Sequence, residues 1–111
     1  MATYKGKYTG AVYRPKTINL ISVSYQVDAI GQRVPIEATT PMQGMVASVG
    51  ATELTRAAQQ GYQASWEAVV WAHEYHEQKI AEIDGKRYLI YRYYIRSDGR
   101  VELYLGDKAG V

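Results

Sequence analysis

The stretch IAEIDGKRYLIYRYYIRSDGRVELYL, residues 80–105, decides the fold, because two turn signals divide it into three short runs of strand-forming residues. Between the first two runs, Asp84-Gly85 is a strong two-residue hairpin signal. That turn sets Glu82 opposite Arg87, so opposite charges meet across the two strands, and apolar residues meet apolar ones. Residues 80–105 are therefore predicted to form consecutive antiparallel hairpins.

The second turn signal is Ser97-Asp98-Gly99, and the length of its loop determines which faces the flanking strands present. A two-residue loop would set Ile95 against Glu102 and mix apolar with charged side chains. A three-residue loop, with Gly99 in the left-handed conformation, separates the faces. It pairs Ile95 with Val101, Tyr93 with Leu103 and Tyr91 with Leu105. The opposite face is predicted to point outward and carries Arg92, Tyr94, Arg96, Arg100, Glu102 and Tyr104.

The first half of the chain also predicts strands. Ile18–Val27 alternates imperfectly between apolar and polar residues, and the turn-prone Asp28-Ala29-Ile30-Gly31 follows it. A second short run, Arg33–Ala38, completes a candidate hairpin. Pro41 is predicted to separate this hairpin from a further β-type segment, Met42–Val49.

One short helix is predicted at about residues 52–60. Thr52 is the expected cap, Glu53 lies where the helix dipole favours an acid, and Gly61 is placed to end the helix. A helix of two to three turns needs packing or a partner to persist, which makes this the segment predicted to move. After it, Ser65–Tyr75 returns to strand composition with an apolar centre that predicts burial on both faces.

These elements predict a mainly β protein, a small antiparallel β-barrel or sandwich-like barrel with one short α-helix. A chain of 111 residues is the usual size of one domain. Residues 17–111 are predicted to form it, and residues 1–16 to form an extended arm.

The arm is basic, whereas the rest of the chain is not. Residues 1–16 contain four cations and no acid, so the net charge of +2 leaves −2 on the other 95 residues. Neither a cysteine nor an apolar run long enough to cross a membrane is present in the sequence. We therefore expect a protein that is neither exported nor inserted in a membrane and works in a reducing compartment.

Candidate chemistry is sparse, and each candidate has a simpler structural explanation. His73 and His76, with neighbouring glutamates, could hold a metal on a helix, but the local sequence favours strand and loop, where residues three apart point to opposite faces. Asp84 and Asp98 are explained by their turns. The sequence shows neither a phosphate-binding glycine loop nor a nucleophile motif. We expect no catalytic residue, metal or cofactor, and a protein that is not an enzyme.

Two surfaces are predicted to bind a partner, because each mixes aromatic and basic side chains. The pattern in the arm suits nucleic acid or protein docking, and four charges alone favour docking onto protein over sequence-specific binding. On the outward hairpin face the same residue types are enriched in interface hot spots. The candidate interface residues are Tyr4, Lys5, Lys7, Tyr8, Tyr13, Arg14, Arg92, Tyr94, Arg96 and Tyr104.

Taken together, the chain resembles the head closure (head-tail connector, or head-tail adaptor) proteins of tailed bacteriophages. Three stretches within residues 18–111 carry the resemblance by their order and spacing. They are Ile18–Ile21 with Asp28–Gln32 after it, Val49–Gln60 before an aromatic strand, and Glu82–Tyr88 running through Tyr91-Arg92 to Val101–Leu105.

This resemblance implies a virion structural protein at the head-tail interface, made in the cytoplasm of the bacterial host. The protein would form a homo-oligomeric ring, twelve-fold by the resemblance, beneath the portal or adaptor protein. The ring would extend and close the channel through which double-stranded DNA passes and would give tail proteins their attachment surface.

In such proteins a loop facing the channel acts as a gate, and by position Gly50–Tyr62 is the candidate. The marginal helix between two glycines is the piece physically able to rearrange. The candidate gating residues are Gly50, Glu53, Arg56, Gln59, Gln60, Gly61 and Tyr62.

Two other functions stay open at this point. The first is a tail terminator or tail completion protein, which would also be a small ring-forming phage protein. The second is a β-barrel that binds single-stranded nucleic acid through the arm and the arginine-bearing face.

Overall fold

Antiparallel strands and one helix make up residues 4–5 and 12–109, the part of the chain that the computed structural model describes. The mainly β fold with one short helix is therefore confirmed. The strands are β1 (Tyr4–Lys5), β2 (Val12–Val27), β3 (Arg33–Ser48), β4 (Tyr62–Trp71), β5 (Ile80–Ile83), β6 (Lys86–Ile95) and β7 (Arg100–Lys108). The helix α1 spans Ala51–Gln59, and a 3₁₀ turn at Ala72–Glu74 follows β4.

The sheet closes on itself. Its strand order is β1-β2-β3-β4-β7-β6-β5, and β5 also pairs with β2, where Ile80–Glu82 lies beside Asn19–Ile21. Strands β2 to β7 therefore form a ring of six antiparallel strands. The largest fully buried side chains described are Ile18, Leu20, Ile21, Val101, Leu103 and Leu105. All of these except Ile21, which alternates to the other face of β2, belong to the core cluster inside the ring.

Strands β2 and β3 are longer than the sequence predicts. Pro41 does not end β3, which continues to Ser48, so that prediction is wrong. Pro41 pairs with Asn19, and in this hairpin that position points its nitrogen away from β2, where no ladder bond is lost. At the other end, the boundary predicted at residue 16 falls inside β2, which begins at Val12.

Beyond Ile21, the β2–β3 hairpin leaves the ring as a two-stranded ribbon, residues 22–38, in which every residue is exposed. At about 3.3 Å per residue the ribbon projects by about 20 Å. Its turn is held by Asp28, whose side chain accepts hydrogen bonds from the backbone N–H of Ile30 (3.0 Å) and Gln32 (2.8 Å). Gly31 supplies the positive φ of 84° that the turn requires.

The first predicted hairpin is confirmed in turn and in register. Asp84 and Gly85 both have positive φ, 53° and 80°, as a two-residue turn of this type needs. Glu82 pairs with Arg87, and Ile80 pairs with Leu89.

The second hairpin is confirmed at its turn and corrected lower down. Gly99 has φ 86°, and Ile95 pairs with Val101 and Tyr93 with Leu103. The predicted pairing of Tyr91 with Leu105 is wrong, because Ile90 takes that partner and the register shifts between Ile90 and Arg92. Tyr91 is thus the extra residue of a β-bulge, which re-aims its side chain.

The helix forms close to where it is predicted. Its N-cap is Gly50 and not Thr52, and no side-chain cap is present, while Gly61, with φ 87°, follows its end. Ala57 is fully buried and Glu53 is nearly so, which defines the face that α1 turns to the sheet. The helix is therefore packed onto the outside of the ring.

Strand β4 confirms the predicted burial on both faces, since Ala68, Val69 and Val70 are all buried. It ends at Trp71 and not at Tyr75, and the 3₁₀ turn takes over from there.

Candidate docking surfaces

One end of the ring exposes a group of large apolar side chains, which we call the apolar end. The ribbon projects from this end, and antiparallel pairing places the C-terminal end of β4 and the β6–β7 hairpin tip at the same end. The exposed residues are Val23, Tyr25, Val27, Ile30, Val34 and Ile36 of the ribbon, and Trp71, Tyr93, Tyr94 and Ile95 at the same end of the ring. Exposed apolar groups concentrated in one region mark an interaction surface.

The hairpin tip is held rigidly at the apolar end. The Arg100 guanidinium lies 4.5 Å from the centre of the Trp71 ring and 3.5 Å from the Asp98 carboxylate. Asp98 also accepts a hydrogen bond from the Arg100 backbone N–H at 3.0 Å. Tyr94 and Ile95, 55% and 60% exposed, are therefore displayed on a fixed support and not on a loose loop.

Beneath the tip, Tyr75 closes the end of the ring. Its ring packs edge-on against Tyr93 at 5.2 Å, and its hydroxyl donates to the backbone oxygen of Gln78 at 3.0 Å. His73 lies 6.3 Å from Trp71, and both His73 and His76 are exposed. Across residues 4–5 and 12–109, no three side chains of metal-ligating type come together.

The burial of Tyr75 predicts how the protein unfolds in base. Burial raises the pKa of Tyr75 to about 12, from 10.0, and it also raises the pKa of Tyr91 and of Tyr104. Because the folded pKa lies above the unfolded one, the stability contributed by the neutral hydroxyl is complete below pH 10 and is lost as the pH rises through 12. We expect cooperative unfolding in that window, followed by circular dichroism and phenolate absorbance.

The matched variants for this titration are Tyr75→Phe and Tyr94→Phe. The first should move the alkaline midpoint to higher pH, and the second, at an exposed position, should leave it unchanged. Full phenolate absorbance from all eleven tyrosines with the β signal intact would contradict the prediction.

An ion pair braces the base of the ribbon. Arg87 of β6 donates two hydrogen bonds to Glu37 of β3, both at 2.8 Å, and its Nε lies 3.7 Å from Glu82. Arg87 lowers the pKa of the Glu37 carboxyl through these hydrogen bonds. The contact is bidentate, so it orients the ribbon relative to the ring. Both side chains are exposed, so its contribution to the free energy of unfolding is small.

The opposite end of the ring opens into a groove of about 770 Å³, which we call the basic groove. Its charged lining consists of Arg14, Lys16, Lys86 and Asp84, three cations against one carboxylate. Apolar and aromatic side chains complete the lining, among them Val12, Val46, Val49, Ile83, Trp66 and Tyr88. This composition suits an acidic partner segment that also carries apolar side chains.

Two contacts shape the basic groove. Lys16 of β2 and Asp84 of the β5–β6 turn form an ion pair at 2.8 Å, which bridges the two strands where they no longer pair. The Trp66 indole N–H donates to the Tyr88 hydroxyl at 3.1 Å. These contacts join β2 to the β5–β6 turn and β4 to β6 along the groove.

The predicted outward hairpin face is largely covered. Glu53 of α1 accepts a hydrogen bond from the Tyr91 hydroxyl at 2.7 Å and one from the Arg92 guanidinium. The Arg92 guanidinium lies 4.0 Å from the centre of the Tyr104 ring, whose hydroxyl donates to Glu102 at 2.6 Å. We call these five residues the outer network.

The outer network corrects the sequence prediction for this face. Tyr104 and Glu102 are buried, and Arg96 is engaged with Asp98 at 2.9 Å and with Glu102 at 3.8 Å. Of the four residues predicted here as interface, only Tyr94 is well exposed. The helix lies over this part of the sheet, which strand alternation alone does not reveal. The sequence feature that indicates this contact is an acid in α1 together with several arginines on one strand.

The predicted gating segment divides into anchored and exposed residues. Glu53 belongs to the outer network, and Tyr62 stacks on Tyr91 with ring centres 5.1 Å apart. The remaining residues lie at the ends or on the outer side of α1, where Arg56, Gln59, Gln60 and Gly61 are exposed and Gly50 is half-buried. The helix is therefore held at one face by a charged contact.

Of the residues predicted in the arm, those described by the structure belong to the sheet. Tyr4 and Lys5 form β1, which pairs with β2 at Tyr13 and Val12. Tyr13 is buried, and its hydroxyl donates to Glu67 at 2.5 Å. Arg14 lines the basic groove. Lys7 and Tyr8 lie outside the described residues.

Within the described residues, no helix is long and apolar enough to cross a membrane. No family model, no curated protein and no solved structure matches the chain.

Proposed function

We propose that this protein is a virion structural protein, a head closure or head-tail connector subunit of a tailed bacteriophage. The observation that supports it best is that two chemically different docking surfaces lie at opposite ends of one closed sheet. A connector must bind one partner above and another below. The apolar end and the basic groove give the chain two such surfaces.

The proposed role consists of binding partner proteins and involves no catalysed reaction. The portal or adaptor protein and the tail proteins of the same phage are the proposed partners, and copies of this chain form a ring around the DNA. Side-chain contacts at both surfaces favour this role, since a surface that is already ordered loses less entropy on binding. Trp71 with Arg100 supports one surface, and Lys16 with Asp84 supports the other.

The experiment separates the two ends by mutation. One variant reverses charge in the basic groove, Arg14→Glu with Lys86→Glu, and the other removes apolar groups from the hairpin tip, Tyr94→Ser with Ile95→Ser. These four side chains are exposed, so the fold should persist. Purified protein is added to tailless heads, and head binding and tail attachment are scored by electron microscopy.

We expect the two double variants to fail at different steps. One should no longer bind to heads, and the other should bind to heads but no longer recruit tails. The control is Lys108→Glu, a charge reversal at an exposed position outside the lining of both surfaces. Wild-type behaviour of both double variants would overturn the proposal.

The same assay distinguishes the two alternatives. Binding to tail tubes in place of heads would identify a tail terminator or tail completion protein. Salt-dependent binding of single-stranded oligonucleotides would support a nucleic-acid-binding protein. The nucleic-acid-binding alternative is less well supported on the hairpin face, because Arg92 and Arg96 of that face are ion-paired with carboxylates.

A further inference from the structure

The outer edge of β2 between Ser22 and Val27 is an open strand edge. Strand β5 pairs with β2 only at Asn19–Ile21, and no other strand in the described part of the chain continues along that edge. All six residues are exposed. An unpaired edge offers a row of backbone donors and acceptors to any second strand.

The hydrogen bonding of the ribbon shows which backbone groups face outward. The Asp28 N–H donates to the Gln32 carbonyl at 2.9 Å, so even-numbered residues of β2 bond to β3. Because the direction alternates along a strand, Val23, Tyr25 and Val27 point their N–H and C=O groups away from β3. The edge therefore has three consecutive donor and acceptor positions.

The outer edge of β3 in the same ribbon is closed to pairing. Pro35 lies within the ribbon and pairs with Tyr25, and Pro41 lies just below the ribbon and pairs with Asn19, which places both prolines at outward-facing positions of β3. Proline has no N–H to donate, and its ring blocks an incoming strand. The ribbon thus has one open edge and one blocked edge.

The open edge also carries exposed apolar side chains. Val23, Tyr25 and Val27 alternate along β2, so they share one face of the ribbon, and they are 40%, 56% and 70% exposed. A two-stranded ribbon with both faces in water is marginally stable, and additional strands stabilise it. Pairing at this edge would satisfy the backbone and shield these side chains together.

We propose that the occupant of this edge is a second copy of the same chain, with β2 pairing antiparallel to β2 about a two-fold axis at Tyr25. This register sets Val23 opposite Val27 of the second copy and Tyr25 opposite its own equivalent. All three are outward-facing positions, so each pair exchanges two backbone hydrogen bonds. No charged residue lies between Ser22 and Val27, so no like charges oppose each other.

The blocked edges limit this association to two copies. The four-stranded sheet runs β3-β2-β2-β3, and both of its outer edges carry Pro35 and Pro41. Neither outer edge accepts a further strand, so the product is a closed dimer and not a filament. The inference concerns the isolated protein and does not rest on the proposed function.

The test is sedimentation equilibrium of the full chain over a wide concentration range. We expect a reversible monomer–dimer equilibrium, with amide protection of Val23, Tyr25 and Val27 rising as the dimer forms. Tyr25→Pro removes the outward N–H together with the ring that Arg33 covers at 4.3 Å, so it is compared with Tyr25→Ala, which loses the ring and keeps the N–H. The proline variant should dimerise more weakly than the alanine variant by roughly tenfold or more. Thr39→Pro is the matched control, since it places a proline at an outward position of the edge that is already blocked.

A charge exchange tests the register itself. Val23→Lys with Val27→Lys sets like charges opposite each other and should leave the protein monomeric, while Val23→Lys with Val27→Glu should restore the dimer. A monomer at every concentration would overturn the proposal. So would a dimer that is unaffected by both Tyr25→Pro and the double lysine variant.

Discussion

Replacing Gly106 with alanine is expected to destabilise the protein by about 3 kcal/mol or more. A Cβ atom at this position of β7 would lie 2.2 Å from the backbone oxygen of Gln63 and 3.0 Å from the Ala64 Cα. Both atoms belong to the backbone of β4, so no side-chain rotation relieves the overlap. Strand β4 bulges between Ala64 and Trp66 at this point, and Gly106 is what allows it to approach β7 closely.

Guanidinium denaturation of wild type and Gly106→Ala measures the effect. Gly31→Ala is the comparison, because Gly31 has φ 84° but no atom within 4 Å of the position a Cβ would occupy. It should cost only the backbone strain, about 1 kcal/mol. Equal losses in the two variants would show that the contact with Gln63 plays no part.

The second large effect is expected at Glu53. Glu53→Gln keeps the shape of the side chain but leaves the Arg92 guanidinium without its charge partner in a site where Glu53 is only 9% exposed. Removing one partner of a buried ion pair costs about 3 kcal/mol. Arg92 Nε has no hydrogen-bond partner among the described residues, and the Tyr104 ring against the guanidinium carries no formal charge that could replace the Glu53 carboxylate.

Hydrogen exchange shows where this loss falls. The amides of α1 should exchange faster in Glu53→Gln, while those of β4 and β7 keep their protection, because Glu53 ties the helix to the sheet. Glu74→Gln changes an exposed acid and should stay within about 0.5 kcal/mol of wild type. Unchanged helix protection in Glu53→Gln would rule out the contact as the anchor of α1.

The turns and the local pairing of the fold could be predicted from the sequence, because each depends on residues close together in the chain. Asp84-Gly85 fixes a register that Glu82 and Arg87 then support, and Gly99 fixes the loop of the next hairpin. Burial on both faces of β4 could also be predicted, from a continuous apolar run. These signals depend on the backbone conformations that single turn residues allow and on the order of apolar and polar residues along one strand.

Features that depend on distant segments could not be predicted in this way. The bulge at Tyr91 breaks the alternation that predicts the outward face, and Tyr104 is buried beneath the Arg92 guanidinium, which Glu53 of α1 holds in turn. The sequence predicts a strand break at Pro41, because the outward direction of its nitrogen depends on the register with β2. Gly106 lies in a strand without any turn signal, since its role comes from the approach of β4.

The same division applies to the candidate docking surfaces. Residue types alone point to the arm and the hairpin face, whereas the structure places Tyr13 in the sheet and Arg92 in the outer network. The basic groove unites β2, β3, β4 and the β5–β6 turn, which no local pattern brings together. The sequence predicts a hairpin at this position but does not predict that its strands extend so far beyond the ring.

The closure of the ring also sets an order on folding during translation. Strands β2 and β3 are neighbours in sequence and can pair as soon as both have left the ribosome, but β2 gains its second neighbour only when Ile80–Glu82 has been synthesised. Until then the Asn19–Ile21 edge stays as open on the nascent chain as the ribbon edge beside it. Nascent chains carried by neighbouring ribosomes on one messenger RNA would present that longer edge to each other, so the rate of elongation through residues 42–82 governs how long the exposure lasts.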